Sequence, residues 1–384
     1  MRVEHVITRL IVGGAQENTL STVLGLSRIP GVEVSLISGP TTGPEGSLEP
    51  LAQELAEGFR LEPHLVRPVH PWHDVRALFS LARRFRQTRP DIVHTHSGKA
   101  GLLGRLAARL ARVPCVIHTI HGPSFGPFQG AGANLLFKNA ERLAGRFTDH
   151  FIVVAHAMSQ QYLQAGIGTP ELYSRIFSGF NLRPYLEAQN DPNLRARYGI
   201  EPEDIVIGKI ARLFYLKGHE ELFAVAPRLI ELEPRLKFLL IGDGILREQF
   251  ERQLSAQGIR SHFVFTGLVP PSQIPALTGI MDGLVHLSRR EGLARALPQA
   301  LAAGKPVVAF DCDGAREVCI NGKTGYLVEA GDLAGLVTFL GLLLSQEELR
   351  IRLGAQGQQF VKERFSEEKM VSDIYRLYQE LLSR

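Results

Sequence analysis

Two doubly wound α/β domains, joined by a short irregular segment, are what this sequence predicts, on three observations. Short apolar runs alternate with helical patterns from end to end, which is how parallel sheets with crossover helices read in sequence. The alternation breaks once, at GFNLRPYLEAQNDPNLRARYG over residues 179–199, where Pro, Gly, Asn and charges mix. The length of 384 residues also exceeds what one hydrophobic core comfortably fills.

In the first half the candidate strands are 3–7, 34–38, 91–96, 115–119, 151–154 and 175–178. Between them, stretches such as VRALFSLARRFRQT (75–88) and KAGLLGRLAARLAR (99–112) repeat apolar residues every three or four positions, as amphipathic helices do. A second series of strands follows the irregular segment at 204–211, 237–242, 262–267, 283–288, 305–310 and 325–328. Sheets of this kind bind ligands outside the carboxyl ends of their strands, so two such domains are expected to face a central cleft.

Bulk composition narrows the function classes. A hydrophobic share of 45% against 21% charged residues is that of a globular protein, not a disordered one. MRVEHVITRL carries an acid and a histidine where a secretory leader would be apolar, and the run LAGLVTFLGLLL (333–344) is too short to span a bilayer; both point to a cytoplasmic protein. Cys115, Cys312 and Cys319 have no metal-type spacing and are odd in number, so reduced thiols are expected. The net charge of +4 is concentrated up to residue 190, with 19 Lys and Arg against 14 Asp and Glu. No basic tract interleaved with aromatics accompanies it, which excludes nucleic acid and leaves an anionic membrane surface, or plain solvation, as the meaning of that excess.

Chemistry-bearing residues cluster just after strands. IARLFYLKGHEEL (210–222) sets Arg212 and Lys217 between a strand and a helix, where a forked guanidinium and a point ammonium suit a diphosphate. In IGDGILREQFE (241–251), Gly242 and Gly244 permit a tight strand-to-helix turn and a close backbone approach. After the strand ending at Ser288 come Arg289, Arg290 and Glu291, then a helix predicted from Arg295 to Ala303 with Gly304 as its stop. Amides from Leu293 through Ala294, Arg295 and Ala296 to Leu297 are expected to be free for an anion, since Pro298 lies in the first turn. Glu291 then stands beside whatever the phosphate carries, or serves only to complement the helix dipole. Gly13 and Gly14 offer a similar approach between the first strand and its helix, without the GxGxxG spacing of a dinucleotide site. His94, His96, His118 and His121 end neighbouring strands; with no acid or cysteine beside them they are read as a polar lining for sugar hydroxyls, and no metal site is expected. The zinc-peptidase signature HExxH and the redox signature CxxC are both missing.

Taken together, HVITRLIVGGAQENTL, DIVHTHSGKAGLLGRLAAR, HTIHG, ARLFYLKG, IGDG and REGLARALPQALAAGKPVVAFDCDGAREVCINGKTGYLV resemble the retaining glycosyltransferases of family 4, built on the GT-B fold of two Rossmann-like domains. The resemblance covers nearly the whole chain. It implies an acceptor-side domain over 1–185, a nucleotide-sugar-binding domain over 186–365, and a helix over 366–384 that crosses back to the first. Arg212 and Lys217 would neutralise the donor diphosphate, Glu291 would contact the donor sugar, and amides from Leu293 to Ala296 the distal phosphate. His121 matches the histidine near the reacting centre, Gly13 and Gly14 the loop over donor and acceptor, and the strand end at 265–268, with Leu268 at its tip, the seat of the nucleotide base. Where the family carries a glutamate on the donor ribose, this chain has Gln299, which accepts without charge and roughly halves that hydrogen bond. Asn181 likewise stands where an aspartate is usual.

The activity implied is transfer of a sugar from a nucleoside diphosphate, UDP or GDP, to a saccharide or lipid-linked hydroxyl. Configuration would be retained, and no cofactor or divalent metal used. A nucleotide-sugar epimerase, which would form product without acceptor, and a non-catalytic sugar-nucleotide-binding module are the alternatives.

Overall fold

A computed structural model describes residues 1–43, 46–126 and 129–383 and divides into two compact units, residues 1–180 with 367–384, and residues 181–366. Unit 1 is built on a seven-stranded sheet: β1 (Arg2–Ile7), β2 (Glu33–Ser38), β3 (Phe59–Leu61), β4 (Ile92–His96), β5 (Cys115–Ile120), β6 (His150–Val153) and β7 (Tyr173–Arg175), in the order β3-β2-β1-β4-β5-β6-β7. Every pairing is parallel, and His5 of β1 lies in register with His94 of β4. Unit 2 carries β8 (Ile205–Ile210), β9 (Leu236–Ile241), β10 (Phe263–Gly267), β11 (Gly283–His286), β12 (Val307–Phe310) and β13 (Gly325–Val328), in the order β10-β9-β8-β11-β12-β13, again parallel. Both sheets reverse their winding beside the first strand, between β1 and β4 and between β8 and β11, and such a switch point is where doubly wound sheets leave a crevice for ligands.

Apolar strands buried on both faces explain the near-continuous hydrophobic runs of the sequence. The core of unit 2 joins Ile207, Phe238, Val285 and Val308 to Leu336, Leu340 and Leu343 of helix Leu333–Ser345, so the longest apolar run is a core helix. Asp332 caps it by accepting from the Gly335 amide at 2.8 Å. In unit 1, Val3, Ile92 and Ile117 pack against Met370, Ile374 and Tyr378 of the terminal helix Glu367–Leu382. Gly25 makes this docking possible, because a Cβ there would lie 2.4 Å from Val371 Cγ2.

The structure departs from the sequence reading in three places. The strand β3 lies in a stretch whose apolar signal is too short to show, and β7 begins at Tyr173, ahead of the expected 175–178. Residues 179–199 are not an open linker. They form helices Arg183–Leu186 and Pro192–Arg197, the second capped by Asp191 accepting from the Asn193 amide at 2.9 Å, and Arg195 is buried with its guanidinium on the Glu201 and Asp204 carbonyls. Cys115, Cys312 and Cys319 are free thiols.

Candidate functional site

At the switch point of unit 2, the loops after β8 and β11 bring Lys217, Ser288 and Glu291 together. The Lys217 ammonium pairs with Glu291 Oε1, Ser288 Oγ donates to the same oxygen at 2.9 Å, and Lys217 Nζ lies 3.3 Å from Ser288 Oγ. Two backbone constraints bring the loop in. Leu216 adopts φ +65°, and Gly218 sits where a Cβ would lie 2.1 Å from the Leu287 carbonyl. Glu291 is fixed from behind as well, its amide donating to Asp313 Oδ2 at 2.7 Å. Burial pushes the Glu291 carboxyl up, but Lys217, His286 and the hydrogen bonds from Lys217 and Ser288 outweigh it and hold the group below its ordinary value. At neutral pH this is a carboxylate beside an ammonium, both partly open to solvent, with side-chain exposures of 29% and 20%.

The remaining predicted residues of unit 2 lie on the loops and helix that follow its strands. Arg212 is exposed, its guanidinium 4.8 Å over the Phe214 ring. Gly242, at φ +133°, is required by protein packing, since a Cβ there would meet the Ala211 carbonyl at 2.4 Å. The helix runs from Ala296 to Ala302, one residue shorter at each end than expected, with Arg295 at its N-cap. Among the described residues, the Leu293 and Ala294 amides meet no protein acceptor, whereas the Leu297 amide is taken by the Ala294 carbonyl at 3.2 Å and so leaves the expected set. The Gln299 side chain is half-buried and bonds to no described protein group. Leu268 is 65% exposed just past β10.

Sequence reasoning missed two groups beneath the pair. Lys209 of β8 is buried with its ammonium unpartnered among the described residues; burial, then the Lys217 cation, push it down to about 7 against the pull of Glu221, Glu220 and Glu291. His286 of β11 is buried with neither ring nitrogen bonded among the described residues, and burial lowers it to about 3. A lysine or histidine inside a hydrophobic run was their only trace in the sequence.

In unit 1, Gly13 caps helix Gly14–Ser27 in extended conformation, φ 174°, so it owes nothing to left-handed geometry; its carbonyl accepts from the Glu17 amide at 2.9 Å. The histidines require a correction. His94, His96 and His118 are at most 1% exposed and line nothing; only His121 is partly open. Strand alternation sends His94 and His96 to one face of β4 and packs them against His5, while His118 takes the other face and meets Thr95 Oγ1 at 2.9 Å. The nitrogens of His5, His94 and His96 converge closely enough to hold an ion, yet each already has a hydrogen-bond partner, which does not fit a vacant metal site.

Comparison with known proteins identifies the family of both units. Residues 13–172 match the family described as a glycosyl transferase 4-like domain, and residues 190–360 that described as glycosyl transferases group 1. The putative glycosyltransferase EpsD of Bacillus subtilis is 30% identical over 302 residues, 76% of this chain and 77% of that protein. The Escherichia coli UDP-Gal:alpha-D-GlcNAc-diphosphoundecaprenol alpha-1,3-galactosyltransferase is 28% identical over 308 residues, 79% of each chain. Among solved structures, that of Anabaena Alr3699/HepE in complex with UDP has the same fold, with a TM-score of 0.82 at 22% identity over 99% of this chain and 100% of that one.

Proposed function

The chain belongs to the group 1 glycosyltransferases, family 4 enzymes of GT-B fold, and on that premise we propose that it transfers a sugar from UDP to a lipid-linked saccharide hydroxyl with retention of configuration. The observation that carries the reading is the Lys217–Ser288–Glu291 cluster at the switch point of the second unit, a fixed cation and a fixed carboxylate side by side. Charge develops on the leaving diphosphate and an oxocarbenium-like centre on the sugar, so Lys217, Arg212 and the open Leu293 and Ala294 amides stabilise the one while Glu291 faces the other. Donors already aimed at the diphosphate supply the charge that a divalent ion supplies in other transferases. In unit 2, Gln299 accepts from a ribose hydroxyl and Leu268 marks the base; in unit 1, His121 is the group that meets a sugar oxygen. A UDP sugar and an undecaprenyl diphosphate acceptor are supported by the names of the Escherichia coli relative and the UDP complex of the Anabaena protein.

An acceptor of that kind lies at a bilayer. Among the described residues no helix is long and apolar enough to cross a membrane. Helix Pro71–Thr88 instead exposes Trp72, Val75 and Phe79, spaced along one stripe, with the Arg76 guanidinium 4.5 Å over the Trp72 ring. An apolar stripe flanked by arginine suits peripheral docking on anionic lipid.

The test is a thermal-shift panel of UDP, GDP, ADP and CDP with their sugars, followed by proton NMR of the product's anomeric centre. UDP is expected to raise Tm most, because it binds only the folded chain, and an α donor should yield an α product. An inverted product would overturn retention, and product without acceptor would make the enzyme an epimerase.

A further inference from the structure

His121 is the open end of an unbroken series of five hydrogen bonds through the core of unit 1. From the far end, Thr119 Oγ1 lies 2.6 Å from His94 Nε2, and His94 Nδ1 lies 2.5 Å from the Tyr378 hydroxyl. That hydroxyl reaches His5 Nε2 at 3.3 Å, His5 Nδ1 reaches His96 Nε2 at 2.9 Å, and His96 Nδ1 reaches His121 Nε2 at 3.0 Å. Every member except His121 is at most 3% exposed.

Such a series has only two consistent proton arrangements. A neutral imidazole donates from one nitrogen and accepts at the other, and a phenol donates once and accepts once. Burial, then neighbouring imidazoles where they act, lower all four histidines, and burial raises Tyr378, so every member is neutral at pH 7. All five bonds must therefore point the same way. If they ran from His121 inward, Thr119 would accept at the far end and its own hydroxyl hydrogen would find no acceptor among the described residues, which buried donors avoid. Run from Thr119 outward, each buried proton has an acceptor. His94, His5 and His96 then carry hydrogen on Nδ1, and His121, receiving at Nε2, must carry its own on Nδ1.

We propose that the Thr119–His94–Tyr378–His5–His96 series locks His121 as a neutral Nδ1–H donor aimed at an oxygen acceptor, a hydroxyl or ring oxygen of the sugar, with Tyr378 of the terminal helix as the positioning residue. The proposal rests on the glycosyl-transfer reading of His121 and sharpens it, since a nitrogen that already bears hydrogen orients or polarises a sugar oxygen and does not take a proton from the attacking hydroxyl. It also assigns the last helix a role in the site, because Tyr378 joins two halves of the series that no other described side chain connects.

The experiment is nitrogen-15 NMR of the full chain labelled at histidine, at pH 7.5, with the His121 signals assigned by comparison with His121→Asn. Expected is a protonated Nδ1 and an unprotonated Nε2 at His121, with the same form at His5, His94 and His96. In Tyr378→Phe the bias relaxes to mixed tautomers, and kcat falls roughly tenfold, about one hydrogen bond's worth, with the donor KM changed less than twofold. A proton on Nε2 of His121 in the unaltered chain overturns the proposal, and this readout stands even if Tyr378→Phe fails to fold. A Tyr378→Phe chain that folds with tautomer and kcat unchanged overturns the role of Tyr378. The spectrum needs no substrate, so an Nδ1–H signal from a chain that transfers no sugar would sink the proposed function alone.

Discussion

Lowering the pH from 7.5 to 5.5 is expected to strip this protein of much of its stability, because it buries histidines that cannot charge. His5, His94, His96 and His118 are at most 1% exposed, and burial is the first cause that carries each far below the ordinary 6.5. For a base whose folded value is depressed, the unfolded chain binds the extra proton; the stability is present above 6.5 and lost as pH falls toward the folded value. At pH 5.5 the unfolded imidazole is about ten to one protonated while the buried one stays neutral, a loss of slightly more than about 1 kcal/mol for each group. Four groups sum to about 5 kcal/mol, against a total of roughly 5–15 kcal/mol for a typical domain. Urea titrations followed by far-UV circular dichroism at pH 7.5, 6.5 and 5.5 measure it, and most carboxylates titrate below this window. A midpoint unchanged between pH 7.5 and 5.5 would refute the claim that these imidazoles are neutral and sealed.

Five variants probe the site and the surface. Glu291→Gln should reduce turnover by at least about a hundredfold while leaving UDP affinity equal or a few fold tighter, since it removes the carboxylate facing the sugar and releases Lys217 for the phosphates; calorimetry showing equal loss of binding and turnover would contradict the role at the sugar. Lys217→Met should weaken UDP binding by about 1.5–3 kcal/mol, one charge-assisted hydrogen bond, and unchanged affinity would move the diphosphate elsewhere. Gln299→Glu should tighten donor binding severalfold by restoring a charged acceptor for the ribose, read as a lower KM at constant kcat. Lys209→Met should raise Tm at pH 7, because it removes an unpartnered buried ammonium costing about 1–3 kcal/mol. Since the Lys209 value falls from 10.5 to about 7, the gain should shrink as pH rises between those limits, and a gain that grew instead would refute this account. For the exposed helix stripe, co-sedimentation with anionic vesicles should fall on replacing Trp72 and Phe79 with serine, and chains that bind no vesicles at low or high salt would dismiss membrane docking.

The alternation of apolar runs with helical periods and the break near residue 180 determined, from sequence alone, two parallel sheets, because both signals are local: a strand buried on two faces must be apolar, and a crossover helix must be amphipathic. The same locality made Lys217 and Glu291 legible as residues just past strands, where doubly wound sheets bind their ligands. Tertiary structure alone decided which of these side chains meet. The pairing of Lys217 with Glu291, 74 positions apart in sequence, depends on β8 and β11 being neighbours, and no local pattern encodes strand order. It also separated histidines that look alike in sequence: adjacent strands seal His94 and His96 in the core, and a helix from the end of the chain inserts Tyr378 between His5 and His94, 373 and 284 residues away. Burial and partnership are properties of what packs on a residue, and the packing partners here come from the opposite end of the chain.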